Sequence, residues 1–133
     1  MENPLPKITV DSSTLSDVDK TLKTEWLVTN GLGGYASSTV LGINTRKYHG
    51  LLVAAFNPPV DRRVLLTKLD EEIKINSETF PLGSNEFNRG IQPEGYRYLS
   101  SFSLNPFPTY TYELDRKFQL EKTVFMPYGK NDT

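Results

Sequence analysis

The sequence predicts an all-β protein, an antiparallel β-sandwich with one short helix near the N-terminus. Apolar and polar residues alternate on both arms of a short polar loop between residues 110 and 126, as in strands with one buried face. A continuous apolar run at residues 51–56 is typical of a strand covered on both faces. Six or seven such strands with one minor helix indicate a sandwich or an open barrel.

The N-terminal part of the chain is predicted to hold the one helix. Residues 1–12 contain Pro, Asn and Ser and are predicted to be flexible, so the domain is assigned to residues 13–133. Within residues 13–23 three apolar residues have helical spacing: Leu15, Val18 and Leu22. Ser13 or Ser16 is the predicted N-cap of this helix.

The remaining elements are predicted to be strands, with Trp26, Tyr110 and Tyr112 in the core. Their predicted bounds are 25–29, 48–56, 64–75, 79–82, a segment at 96–104, and two hairpin arms at 110–114 and 118–126. The arms are joined by a turn at 115–117. Residues 127–133 read as a turn with no strand after it, so we expect a truncated domain.

Composition excludes several classes of function. The chain has 15 Lys and Arg against 16 Asp and Glu, without the clustered basic surface that nucleic-acid binding requires. It has no cysteine, which excludes a disulfide framework and thiolate metal sites. It lacks a signal peptide, and no apolar stretch approaches the roughly 18 residues of a membrane span. We therefore predict a cytoplasmic protein without a metal, a cofactor or a membrane partner.

A glycine-rich motif follows the first predicted strand of the sandwich. Gly31-Leu32-Gly33-Gly34-Tyr35-Ala36 satisfies the pattern G-x-G-x-x-A of dinucleotide sites. The residues that follow are β-branched or poor helix formers, so the phosphate-facing helix of such a site is not predicted. The motif is instead predicted to be a hairpin turn or bulged loop. It could present backbone N–H groups to a hydroxylated ligand or serve as a tight structural turn, and the turn is favoured.

Two other groups of residues could carry chemistry. Asp70, Glu71 and Glu72 form an acidic cluster, but neighbours on one strand cannot flank a glycosidic bond as a glycosidase pair must. We interpret them as a solvated strand beside Lys68 and Lys74. The stretch 44–49 contains the only histidine, which is either a hydrogen-bonded structural residue or part of a sugar site.

Several long blocks of the sequence resemble glycogen debranching enzymes of bacteria and archaea, the amylo-α-1,6-glucosidase type. They occur in the expected order between residues 14 and 129. The blocks are Glu25-Trp26-Leu27-Val28-Thr29-Asn30-Gly31-Leu32-Gly33-Gly34-Tyr35-Ala36-Ser37, then residues 42–54, 106–113 and 121–129. Ser38 and Leu41 depart from the more usual smaller residues.

The resemblance implies a supersandwich-like N-terminal domain, which in the family precedes a helical (α/α) barrel that holds the catalytic carboxylates. Family members hydrolyse α-1,6-linked glucose at glycogen branch points. We therefore expect this chain to have no catalytic residue, to be inactive alone, and to pack on its own barrel and help shape the substrate cleft. The candidate residues for binding α-glucan are Asn30, Tyr35, Asn44, Arg46, Tyr48 and His49.

Two other functions stay open at this stage. One is an autonomous module that binds α-glucan without an attached enzyme. The other is a structural interaction domain with a sizeable apolar patch that a partner covers. Open sheet edges in an incomplete sandwich also predict self-association.

Overall fold

The computed structural model describes residues 8–87, 90–104, 106–115 and 117–133. This part of the chain contains two four-residue helices, α1 (Ser12–Leu15) and α2 (Val18–Thr21), and a 3-10 turn, Gly95–Tyr98. The strands are β1 (Ile8–Val10), β2 (Glu25–Thr29), β3 (Tyr35–Thr39), β4 (Gly50–Asn57), β5 (Val60–Leu66), β6 (Glu72–Ile75), β7 (Glu78–Pro81), β8 (Ser84–Phe87), β9 (Gly90–Glu94), β10 (Leu99–Leu104), β11 (Pro108–Leu114) and β12 (Phe118–Thr123). None of the helices in this part has the length and apolar character of a membrane span.

The strands form two four-stranded antiparallel sheets and two small hairpins. Sheet A has the order β1-β10-β11-β12, and sheet B has the order β2-β3-β4-β5. The hairpins are β6–β7 and β8–β9. Buried apolar residues from both large sheets belong to one core cluster, which confirms the predicted all-β sandwich.

A buried hydrogen-bond triangle links the two sheets at the centre of the core. Trp26 on β2 donates from Nε1 to the Tyr110 hydroxyl at 2.5 Å and to the Thr39 carbonyl at 3.2 Å. The Tyr110 hydroxyl donates in turn to the same carbonyl at 2.7 Å. Burial raises the pKa of Tyr110, so its hydroxyl remains a donor. Trp26 and Tyr110 are 3% and 2% exposed, which confirms their prediction as core residues.

The N-terminal region differs from its prediction in two respects. Two short helices replace the single helix, because each of two aspartates caps its own turn: Asp11 accepts from Thr14 N at 2.9 Å and Asp17 from Lys20 N at 3.2 Å. The predicted caps, Ser13 and Ser16, do not hold that position. Residues 8–10 form β1 on the edge of sheet A rather than a loose segment. Residues 1–7 lie outside the described residues.

The strand predicted over residues 64–75 is in fact two strands, β5 and β6, separated by residues 67–71. Lys68 holds this crossing segment in place. Its ammonium group donates to the Ser84 carbonyl and, at 3.1 Å, to Asn85 Oδ1. The prediction of one continuous strand is therefore wrong, and Leu65, an apolar residue within it, is 55% exposed rather than in the core.

Other predicted elements also need adjustment. The segment predicted at 96–104 begins as the 3-10 turn and becomes a strand only at Leu99. Strands β8 and β9 were not predicted. The hairpin β11–β12 is confirmed, with Thr109 opposite Thr123 and Leu114 opposite Phe118. In its predicted turn, Asp115 has a positive φ of 50°, while Arg116 lies outside the described residues.

Candidate functional site

The glycine motif forms the turn of the β2–β3 hairpin. Gly31 and Gly33 have φ values of 79° and 93°, which favour glycine. A Cβ on Gly31 would lie 2.3 Å from the ring of Tyr128, and one on Gly33 would lie 2.5 Å from the Pro59 carbonyl oxygen. Strand β3 follows the turn, so the structure confirms a hairpin and contradicts a dinucleotide site.

Asn30 organises this turn from a fully buried position, with 0% of its surface exposed. Its Oδ1 accepts from the backbone N–H groups of Leu32 at 2.9 Å and Gly34 at 3.1 Å. Its Nδ2 donates to the Lys130 carbonyl and to Asn131 Oδ1, both at 3.0 Å. The amide of this candidate binding residue is thus engaged by the protein itself.

The C-terminal segment completes the same network. The Asn131 amide accepts from Ala55 N at 3.3 Å and donates to Ala55 O at 3.1 Å, as a neighbouring strand would. Gly129 N donates to the Asn30 carbonyl at 2.6 Å. Residues 127–131 therefore fasten to sheet B, although they follow β12 of sheet A.

Asn44 and His49 shape the loop at residues 44–49. Asn44 accepts from Ser38 Oγ at 2.8 Å and donates to the Thr67 carbonyl at 3.0 Å. His49 is 4% exposed, and its Nδ1 accepts from the N–H groups of Thr45 and Arg46 at 3.0 and 3.3 Å. Its Nε2 lies 3.0 Å from Glu25 Oε1, so the ring proton is on Nε2. Both side chains have structural partners.

Tyr35, Arg46 and Tyr48 keep surface open to solvent. The Arg46 side chain is 71% exposed, and its Nε donates to the Glu25 carboxylate. Tyr48 is 62% exposed, with Lys47 Nζ 5.6 Å from its ring centroid. The half-buried Tyr35 donates from its hydroxyl to the Tyr48 carbonyl at 3.1 Å. The structure thus brings these three residues together.

Tyr35 and Glu25, the ion-pair partner of Arg46, lie on the outer face of sheet B, which points away from the core. Along β2, Trp26 and Val28 point inward, whereas Glu25, Leu27 and Thr29 point outward. The outward Thr29 is opposite Tyr35 on β3. One end of this face contains a cavity of about 590 Å³, which we call the turn cavity; it is lined by Leu27, Thr29, Gly31, Gly33, Gly34, Tyr35 and Arg62.

Arg62 is a member of this cavity that nothing in the sequence distinguishes. It lies on β5, and its Nε donates to the Gly33 carbonyl at 2.6 Å. Sequence patterns could not reveal its role, because its contact with the glycine turn spans 29 residues of sequence. Leu27 and Thr29 lie in the first of the blocks that carry the family resemblance, but they were not predicted to face a ligand.

The acidic cluster has a different environment. Asp70 lies 3.4 Å from Lys68 Nζ, and Glu71 lies 2.5 Å from Lys122 Nζ. Burial lowers the pKa of Lys68, and its neighbour Asp70 opposes that effect. Lysine partners were predicted for this cluster, but Lys122 of sheet A takes the place of Lys74. Asp70 and Glu71 are therefore paired with cations rather than with each other across a cleft.

Comparison with known proteins gives one match. A family model described as "Glycogen debranching enzyme N terminal" matches residues 24–133. No curated protein matches the chain, and no solved structure matches it. The matched range contains all four strands of sheet B and all six predicted binding residues.

Proposed function

The chain belongs to the glycogen debranching enzyme N-terminal family, and from that premise we propose that it is a non-catalytic, glucan-facing domain. In this proposal a helical barrel supplies the carboxylates that hydrolyse the α-1,6 bond. The present domain packs on that barrel and helps shape the cleft. Tyr35, Arg46 and Tyr48 contact the α-glucan, while Asn30, Asn44 and His49 hold the contacting residues in place.

The observation that carries this proposal is the rigid presentation of the 44–49 loop. Buried His49 accepts two backbone N–H groups of the loop, and Asn44 ties it to β3 and to the segment after β5. Arg46 and Tyr48 nevertheless remain largely exposed. A site that is fixed before the ligand arrives loses less conformational freedom on binding. Aromatic faces with a few convergent polar groups are typical of small-molecule sites.

The carboxylates support the non-catalytic part of the proposal. A glycosidase needs an acid and a base or nucleophile roughly 5–9.5 Å apart on either side of the bond. Glu25 is engaged by Arg46 and His49, and Asp70 and Glu71 are each paired with a lysine. Each of these carboxylates thus binds a neighbouring cation or imidazole ring, and none of the three is placed opposite a second carboxylate across a cleft.

The exposure of strand β5 is evidence for contact with a partner domain. It is the edge of sheet B, and it exposes 56% of Val60 and 55% of Leu65. An edge strand that exposes apolar side chains beside its unpaired backbone groups is a site for pairing with another chain or domain. We propose that the barrel covers this edge, and that a second copy takes its place when the barrel is missing.

The test is retardation of the 133-residue chain in native gels that contain glycogen. Arg46→Ala and Tyr48→Ala should each reduce retardation, because they remove the exposed contacts. Their matched controls are Arg97→Ala, an exposed arginine that pairs with Glu94 at 2.8 Å, and Phe87→Ala, an aromatic residue that is 61% exposed. Both controls should migrate like the unmodified chain.

Two results would contradict the proposal. One is an absence of retardation for a chain whose near-ultraviolet circular dichroism shows fixed tertiary packing. The other is release of glucose from a branched dextrin by the 133-residue chain, which would require catalytic residues within it.

A further inference from the structure

We propose that the turn cavity is a second glucosyl-binding subsite, separate from the Arg46–Tyr48 contact, which binds the next part of the same α-glucan chain. The inference rests on the proposed function for the identity of the ligand. The cavity volume of about 590 Å³ is within the roughly 300–1,000 Å³ of small-molecule sites.

The glycines alone do not indicate a ligand. Both Gly31 and Gly33 have the positive φ that the hairpin turn requires, and a Cβ on Gly33 would also meet the Pro59 carbonyl oxygen. The turn alone therefore accounts for these glycines. The side chains that line the rest of the cavity do indicate one.

Those side chains suit a neutral, hydroxylated ring. Leu27 is 57% exposed although it lies in the middle of a strand, and with Tyr35 it provides an apolar wall. Thr29 and Arg62 provide a hydroxyl group and a guanidinium group at the rim. The lining residues include no carboxylate. A sugar presents C–H groups on its faces and hydroxyl groups around its edge, so both kinds of wall have a partner.

Arg62 is fixed but not fully engaged. Its Nε donates to the Gly33 carbonyl, whereas its two terminal nitrogens make no hydrogen bond or ion pair to another described residue. Arg63, its neighbour on β5, points to the opposite face. There it binds Asp61 through Nε at 3.3 Å and Nη2 at 3.1 Å and lies 4.6 Å from the ring centroid of Phe56. Of the two arginines, Arg62 lines the turn cavity, and its terminal nitrogens remain available as donors to a ligand there.

Tyr35 connects the turn cavity with the loop that carries Arg46 and Tyr48. The Tyr35 ring lines the cavity while its hydroxyl reaches the Tyr48 carbonyl. Glu25, which binds Arg46, and Thr29, which lines the cavity, lie at the two ends of β2 on one face. At about 3.3 Å per residue the separation is roughly 13 Å. One linear glucan segment could therefore contact both positions.

The experiment is a titration of the ¹⁵N-labelled 133-residue chain with maltoheptaose, followed by NMR. We expect shifts at the backbone amides of Thr29, Gly31, Gly33 and Tyr35 and at Arg62 Nε, together with shifts in residues 44–49. Arg62→Ala should weaken binding about tenfold, as expected for loss of a charged hydrogen-bond donor. Arg63→Ala should leave binding unchanged. Thr29→Val, which keeps a β-branched side chain in the strand, should weaken binding without affecting the fold.

The outcomes separate the two proposals. Shifts confined to Tyr35 and residues 44–49, or equal weakening by Arg62→Ala and Arg63→Ala, would overturn the second subsite and leave the proposed function standing. An absence of shifts anywhere would overturn both. A response of the turn cavity to inorganic phosphate, with none to maltoheptaose, would identify an anion site and overturn the subsite.

Discussion

Two sets of polar residues among the candidate binding residues have opposite environments. Asn30 and His49 are 0% and 4% exposed, and their polar atoms bind the backbone of neighbouring loops. Arg46 and Tyr48 lie in the same loop as His49 but are largely exposed. We call the first pair positioning residues and the second pair presenting residues. The difference predicts that substitutions in the first set change stability, whereas those in the second change binding.

The largest expected effect is that of Asn30→Ala. This substitution removes the acceptor oxygen and the donor nitrogen of a buried amide. It leaves the N–H groups of Leu32 and Gly34 without their side-chain acceptor. We expect a loss of about 3 kcal/mol in the free energy of unfolding, measured by urea denaturation. A loss below about 1 kcal/mol, the range of an ordinary exposed hydrogen bond, would contradict its positioning role.

His49→Ala should have the next largest effect. Loss of the ring removes the acceptor for Thr45 N and Arg46 N and the donor to Glu25. We expect unfolding to become easier by about 2 kcal/mol. Glycogen retardation should also fall, because the loop that carries Arg46 and Tyr48 is no longer held. Unchanged retardation together with lower stability would show that the loop does not depend on His49.

Gly33→Ala should destabilise the chain by about 1–3 kcal/mol, the usual cost of an unfavourable backbone conformation. The alanine would have to keep the positive φ of Gly33, and its Cβ would lie too close to the Pro59 carbonyl oxygen. Gly90→Ala is a useful control, since Gly90 also has a positive φ but a Cβ there would meet no atom within 4 Å. Thermal unfolding of the two variants should separate steric conflict from backbone strain. Equal losses would mean that the Pro59 contact contributes nothing.

The smallest effect on stability is expected for the presenting residues. Arg46→Ala and Tyr48→Ala should each change the free energy of unfolding by about 0.5 kcal/mol or less, as is usual for exposed positions. The surface ion pair of Arg46 with Glu25 contributes little for the same reason. A loss above about 1 kcal/mol in urea denaturation would place these residues among the positioning set.

The sequence predicted the parts of the fold in which local pattern and burial agree. Tyr110, Tyr112 and Leu114 alternate with exposed or half-buried neighbours on β11, as the period of two indicated. Strand β5 shows the opposite behaviour, because nearly all of its residues are exposed and its apolar side chains face no core. Alternation therefore carries information only where one face is buried. The break after β5 depends on Lys68, whose contacts to Ser84 and Asn85 are distant in sequence.

The candidate site was predictable only in part for a similar reason. The family blocks indicated a stretch that includes Arg46 and Tyr48, and both are exposed. The blocks could not separate those residues from Asn30 and Asn44, because burial depends on which distant segments approach. Asn30 is covered by residues 130 and 131, about 100 positions away. Arg62 joins the same face through the pairing of β4 with β5, which no local pattern revealed.

The most direct test of the central claim is the affinity of the double variant Arg46→Ala/Tyr48→Ala for maltoheptaose, measured by isothermal titration calorimetry beside the unmodified chain. We expect binding to weaken by at least about tenfold. We also expect the free energy of unfolding to be nearly unchanged. Equal affinity of the two proteins would contradict the claim that these exposed residues present the domain to glucan.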